Sequence, residues 1–87
     1  MTTSLPRQPG VYLFRGANDH ILYVGKATNL RQRVRSYFGG DDRRKIGPLL
    51  RETQRISHVT TPNVLTAEVL ELRYLQQHAP RYNKVGT

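Results

Sequence analysis

Two tyrosine triplets, Gly10-Val11-Tyr12 and Tyr23-Val24-Gly25, precede a stretch that carries Arg31, Arg33 and Arg35. Phenols beside guanidinium groups suit the cleavage of a phosphodiester. A phenol can take a proton from water once a neighbouring charge lowers its pKa from the ordinary value near ~10. A guanidinium matches the oxygens of a phosphate through two parallel hydrogen bonds. Such a site still needs positive charge at the leaving oxygen, and a carboxylate to hold the cation that supplies it.

Helix-face arithmetic separates the acidic residues. Asp19 falls in a turn and Asp41 and Asp42 in a loop, where no packed element holds them. Glu71 lies between Leu70 and Leu72 and four residues before Leu75, so it projects towards the apolar side of a helix. An unpaired carboxylate there costs several kcal/mol. Its partner can be an arginine, a proton or a metal ion, and magnesium suits because one or two carboxylates suffice, with water and phosphate oxygens completing its shell. His20, His58 and His78 have no ligand spacing and the chain has no cysteine, which argues against zinc, a thiolate nucleophile or a disulfide framework. Serine-nucleophile motifs and phosphate-binding glycine loops are also missing.

The elements that must position these groups follow from periodicity. The sequence predicts an α/β (α+β) domain: a small three-stranded antiparallel sheet, with strands at about 11–15, 21–25 and 56–61, flanked by helices at about 29–38, 46–55 and 64–78. A two-residue turn at Ala17-Asn18 or Asn18-Asp19 puts Tyr12 and Tyr23 on one face of the hairpin, whereas a loop with an odd number of residues would separate them. In the first helix, capped by Thr28 or Asn29, the expected apolar stripe is Leu30, Val34 and Phe38. Arg33 and Tyr37 form a second row, and Arg31 and Arg35 a third, more exposed one. Pro48 is expected in the first turn of the second helix, with Ile46, Leu49 and Leu50 as its apolar contacts. Asn63 or Thr66 caps the third helix, which Pro80 ends.

Length limits the chain of 87 residues to one domain, 1–87, with residues 1–7 expected to be a disordered tail. Its 14 Lys and Arg against 6 Asp and Glu give a net charge of +8, pointing to a polyanion; the plainer reading is a solvated basic surface. With no long apolar run and no leader-like segment, neither a membrane partner nor export is expected, and a bacterial-type cytoplasmic or nucleoid setting is.

Gly10-Val11-Tyr12, ten residues, Tyr23-Val24-Gly25-Lys26-Ala27, and then Leu30 through Phe38 resemble the GIY-YIG nuclease domain, in the version found at the amino terminus of the UvrC excision-repair endonuclease. Leu70-Glu71 is similar to that family's catalytic glutamate helix, and Pro80-Arg81-Tyr82-Asn83 to its terminal asparagine motif, so the resemblance spans roughly residues 6–84. The His78–Asn83 ending is similar to the branch fused to a proofreading-type exonuclease. Valine stands for isoleucine in both triplets, a packing change that leaves the chemistry alone.

The resemblance implies a metal-dependent DNA endonuclease that leaves a nick, in nucleotide excision repair or related DNA processing. Its catalytic set would be Tyr12, Tyr23, Lys26, Arg33, Tyr37, Glu71 and Asn83. Glu71 would bind Mg2+ or Mn2+, and Arg33 would contact the scissile phosphate. Tyr12 as base and Tyr23 would flank the attacking water, with Lys26 close enough to favour a phenolate. Tyr37 would donate to the phosphate, and Asn83 would bond back towards the tyrosine pair. Arg31, Arg35, Arg43, Arg44 and Lys45 would supply sequence-independent contacts to the DNA backbone. Other domains or repair proteins would deliver the substrate. The rival readings are a non-catalytic basic DNA-binding module of a larger repair or exonuclease protein, and a protein-interaction domain.

Overall fold

The computed structural model describes residues 5–39 and 43–83, with side chains in the second helix from Gly47 onward. Its strands are β1 (Gly10–Arg15), β2 (Ile21–Ala27) and β3 (Arg55–Thr60), and its helices α1 (Leu30–Gly39), α2 (Arg43–Glu52) and α3 (Val64–His78). The sheet is three-stranded and antiparallel, as expected, and its order is β2-β1-β3. β1 is central and buried on both faces, which explains the unbroken apolar run Val11–Phe14.

Alternation along the strands sorts the core into two layers. Tyr12, Phe14, Leu22 and Ala27 pack with Leu30, Val34 and Tyr37 of α1 and Leu49 of α2. Val11, Leu13, Ile21 and Val24 pack with Ala67 of α3, joined by Leu70, Tyr74 and Leu75. Each such buried aliphatic or aromatic side chain contributes about 1.5–3 kcal/mol. α1 and α3 thus lie on opposite faces of the sheet, and β2 is the edge that both reach.

The hairpin keeps the tyrosines together by a route that the simple turn does not anticipate. Tyr12 pairs with Gly25 and Phe14 with Tyr23, but Arg15 pairs with Ile21, so Leu22 is an extra residue in β2. The loop Gly16–His20 is odd-numbered, and the bulge at Leu22 restores the parity that this loop would lose. Tyr12 and Tyr23 are diagonal neighbours on one face. Asn18 and Asp19 take left-handed φ angles of 58° and 60°, which short amide and carboxylate side chains tolerate. Asp19 is also held by Arg55 at 2.8 Å, so it is better anchored than a loop position suggests.

The expected tail over residues 1–7 requires correction where it is described. Leu5 is only 3% exposed and belongs to the core layer under α1. The carbonyls of Gln8 and Pro6 accept hydrogen bonds from the backbone N–H groups of Leu30 and Arg31, at 3.0 and 3.1 Å. These are donors that the first turn of a helix leaves unsatisfied. Asn29 is the cap, its Oδ1 accepting from the Gln32 N–H at 3.1 Å. Residues 1–4 lie outside the described part.

Two helix readings also change. The stripe of α1 is Leu30, Val34 and Tyr37, while Phe38 is exposed. Seven residues return almost to the starting face of a helix and eight overshoot it. α2 begins and ends three residues earlier than the 46–55 expected, so Pro48 sits in its second turn. It ends because Gln54 donates its N–H to the Arg15 carbonyl at 2.7 Å and Arg55 opens the β3 ladder; sheet pairing overrides helix propensity. At α3 the cap is Asn63, whose Oδ1 accepts from the Thr66 N–H at 2.8 Å, and the helix closes on Ala79 in a left-handed conformation before Pro80.

Candidate active site

The residues that the sequence singles out gather along the β2 edge, divided between the two sheet faces. On the α1 face, Tyr12, Tyr23 and Tyr37 form a triangle of rings, with centroids 5.7 Å apart for Tyr12 and Tyr37, 6.3 Å for Tyr12 and Tyr23, and 6.2 Å for Tyr23 and Tyr37. The Tyr12 and Tyr37 hydroxyls share a hydrogen bond of 2.7 Å. Tyr12 is 1% exposed and Tyr37 8%, so this pair is core as well as site, while Tyr23 is half-buried. The Arg33 guanidinium lies 5.4 Å from the Tyr37 ring centroid, over its face, in a cation–π contact that leaves the fork exposed.

Glycine makes this packing possible. Gly25 is the strand partner of Tyr12, and the Tyr12 phenol, including its hydroxyl, lies where any Cβ at position 25 would be. At Gly10 a Cβ would meet the Val59 carbonyl and, at 2.7 Å, Leu30 Cδ1. Glycine within a strand marks the close approach of another group.

On the α3 face, Lys26 and Glu71 form an ion pair at 3.6 Å, with side chains 38% and 21% exposed. Lys26 is the strand partner of Val11 and therefore projects to the face opposite Tyr12. Of the partners left open for Glu71, the structure supplies a cation, but it is a lysine and not an arginine. The contact is longer than a hydrogen bond, and both side chains are partly open to solvent. Glu71 is nevertheless near enough that its charge raises the pKa of Tyr23.

The expectation that Lys26 lowers the phenol pKa values does not survive. Burial raises the Tyr12 phenol above its ordinary value; hydrogen bonding to Tyr37 and Arg33 opposes the rise. Burial likewise pushes Tyr37 up to about 12, with the Tyr12 contact adding to it. Tyr23 is raised furthest, by burial first and then by its contact with Tyr37. Arg33, and not Lys26, is the cation that acts on all three phenols.

Asn83 sits in a short 3-10 turn, Arg81–Asn83, after α3. Its Oδ1 accepts from the Val24 N–H and its Nδ2 donates to the Val24 carbonyl, each at 2.9 Å. The amide thus pairs with the open edge of β2 as a neighbouring strand would, between Tyr23 and Gly25. The same turn is fastened by Tyr82, whose hydroxyl donates to Glu52, and by Arg81, 3.2 Å from Glu52. Glu52 was not singled out from the sequence, and its helix position alone gives no sign of this contact.

The residues expected on DNA divide. Arg35 is exposed on α1, whereas Arg31 is half-buried and spends its Nε on the Leu5 carbonyl at 2.8 Å. Arg43, Arg44 and Lys45 open α2, and their side chains lie outside the described residues.

A buried phenol pair, a guanidinium and a half-buried carboxylate thus flank one strand edge of a small α+β domain. Residues 8–84 match the family model of the UvrC-like GIY-YIG domain, and the chain belongs to that family. It is 48% identical over 85 residues to a protein of Mycobacterium tuberculosis named as a bifunctional exonuclease/endonuclease. It is 46% identical over 80 residues to the UvrABC system protein C of Desulforudis audaxviator. The alignments cover 97% and 92% of this chain but only 13% of either relative. Among solved structures, the GIY-YIG N-terminal endonuclease domain of UvrC from Thermotoga maritima, bound to its catalytic magnesium, superposes with a TM-score of 0.86 at 29% identity, covering 94% of this chain and 90% of that one.

Proposed function

We propose that this chain is a metal-dependent DNA endonuclease domain that hydrolyses one phosphodiester bond and leaves a nick. The observation that carries it is the place of Tyr23 on the β2 edge, its ring against those of Tyr12 and Tyr37 on one face and Glu71 of the other face near enough to raise its pKa, in a domain whose solved relative is an endonuclease.

A divalent cation fits Glu71. Its carboxylate is a hard oxygen donor, partly open to solvent, and among the described residues its ion-pair partner is Lys26 at 3.6 Å. One carboxylate suffices for Mg2+ or Mn2+, whose shell is otherwise mostly water and phosphate oxygens. When bound, the cation supplies positive charge at the leaving 3′ oxygen. That point charge does not depend on the phenols: Tyr→Phe variants of the Thermotoga maritima domain still hold their catalytic cation.

The remaining steps belong to this chain's side chains. Tyr12 is the general base, because Arg33 and the Tyr37 hydroxyl both act to lower its pKa, while Tyr23 is raised by Tyr37 and by Glu71. As a phenolate, stabilised by the 2.7 Å hydrogen bond that the Tyr37 hydroxyl then donates, Tyr12 takes a proton from water as the water attacks phosphorus and becomes the neutral phenol. Arg33 holds the non-bridging oxygens with its exposed fork. Tyr23 orients water or phosphate. Lys26 keeps Glu71 oriented, and Asn83 fixes the backbone between Tyr23 and Gly25.

The biological setting follows the relatives: a nuclease unit of a longer protein in nucleotide excision repair or related DNA processing, with other domains or repair proteins delivering the substrate in the cytoplasm. No helix among the described residues is long and apolar enough to cross a membrane. The test is nicking of supercoiled plasmid in Mg2+ or Mn2+. Wild type should convert it to open circles, and Glu71→Gln and Arg33→Ala should not. Equal conversion by all three, or DNA binding without nicking by wild type fused to a DNA-binding domain, would favour the non-catalytic module.

A further inference from the structure

α1 carries two adjoining depressions, and only one of them belongs to the active site. The first, about 260 Å³, is lined by Ala27, Thr28, Asn29, Gln32, Arg33 and Ser36. The second, about 290 Å³, is lined by Arg7, Asn29, Arg31, Gln32 and Arg35. Asn29 and Gln32 line both, so the two meet across a ridge of side chains three apart. The second holds three guanidinium groups and no acidic side chain.

Arg7 reaches this place because the fold carries it there. Burial of Leu5 and the bonds from α1 to Pro6 and Gln8 lay the segment over the first turn of the helix. Arg31 acts as a positioning residue for that segment through its Nε, and its terminal nitrogens make no other hydrogen bond among the described residues. Arg7 and Arg35 have neither hydrogen-bond nor ion-pair partners among the described residues. The N–H groups of Leu30, Arg31 and Gln32 are already bonded to Gln8, Pro6 and Asn29. An anion here must therefore be met by guanidinium forks and not by helix amides.

We propose that this depression is a second phosphate subsite, which takes a backbone phosphate of the DNA strand flanking the one held at Arg33. The strand crosses α1 over the Asn29–Gln32 ridge, and the subsite reads charge without reading sequence. Isolated arginines accept any phosphate; continuity with the Arg33 depression is what selects a polymer. The inference rests on the endonuclease reading of the Arg33 site.

The test uses the full chain and a short fluorescein-labelled DNA duplex in EDTA, so that nothing is cut, with anisotropy read over a series of salt concentrations. Arg7→Gln/Arg35→Gln should bind about tenfold or more weakly, and its slope of log affinity against log salt should be shallower by about 0.9 per arginine. Arg51→Gln/Arg73→Gln, which removes equal charge from α2 and α3, should keep the wild-type slope. Matching melting temperatures exclude misfolding. A wild-type slope in the first variant, or an equal loss in the second, overturns the subsite in favour of a diffuse basic surface. If wild type nicks plasmid while the first variant binds normally, only the subsite falls; if wild type neither binds nor nicks, the endonuclease reading falls with it.

Discussion

The two sides of β2 hold their functional groups in opposite ways. On the α1 side, Tyr12 and Tyr37 are packed as core, and their hydroxyl contact forms whenever the hydrophobic layer forms. On the α3 side, Lys26 and Glu71 meet loosely at the rim, where water reaches both. The base needs fixed geometry and a dry surrounding, whereas a cation with a water shell needs an acid that can exchange partners. Packing provides the first and partial exposure the second. Changes on the α1 side should therefore cost stability and activity together, and changes on the α3 side activity alone.

The largest expected effect is at Glu71. Glu71→Gln should lower the nicking rate by about 10³-fold or more, the kinetic equivalent of several kcal/mol of lost charge stabilisation, and leave the melting temperature unchanged. A large fall in melting temperature would break the division. Tyr12→Phe should slow nicking by about 10²-fold or more, the range for a lost general base. It also leaves the Tyr37 hydroxyl without its partner, which costs about 1–3 kcal/mol in denaturant unfolding.

Gly25→Ala separates shape from chemistry, since it removes no active group. The added methyl collides with the Tyr12 phenol, and we expect about 1–3 kcal/mol of destabilisation with a matching loss of nicking. Normal activity would mean that the phenol position is not critical. Asn83→Ala removes two hydrogen bonds to an edge strand and should cost about 1–2 kcal/mol, with the exchange protection of the Val24 amide lost first.

The smallest effects come from pH. A phenol whose pKa rises on folding stabilises the fold fully below its unfolded value, near ~10, and loses that contribution as pH climbs through the folded value. For Tyr37 the loss should extend to about 12 in alkaline unfolding curves. With chemistry limiting, nicking should rise about tenfold per pH unit around neutrality, because Tyr12 is almost wholly protonated there. A flat profile would exclude it as the base.

Element types and the sheet were legible because β1 and β2 are short β-prone runs and α1 and α3 have clean helical periods. The bounds of α2 were not, because they are set by a bond from Gln54 to Arg15, far apart in sequence. The bulge at Leu22 was hidden for the same reason. At the site, Tyr12, Tyr23 and Glu71 stand out from strand parity and helix-face position, whereas the roles of Lys26, Arg33, Tyr37 and Asn83 come from the family resemblance; parity puts Lys26 on the face away from Tyr12, but its meeting with Glu71 depends on how α3 packs. Leu5 and Arg7 were lost to the assumption that polar, proline-flanked ends fray. Nothing local reveals that α1 lacks acceptors for its first N–H groups and finds them in Pro6 and Gln8.

The central claim is that Glu71 holds the cation while Tyr12 acts as the base from the α1 side. Mn2+ binding, followed by calorimetry on wild type, Glu71→Gln and Tyr12→Phe, tests it without relying on turnover. The account predicts wild-type affinity in Tyr12→Phe and a loss of about tenfold or more in Glu71→Gln. Unchanged binding in Glu71→Gln, or lost binding in Tyr12→Phe, would contradict it.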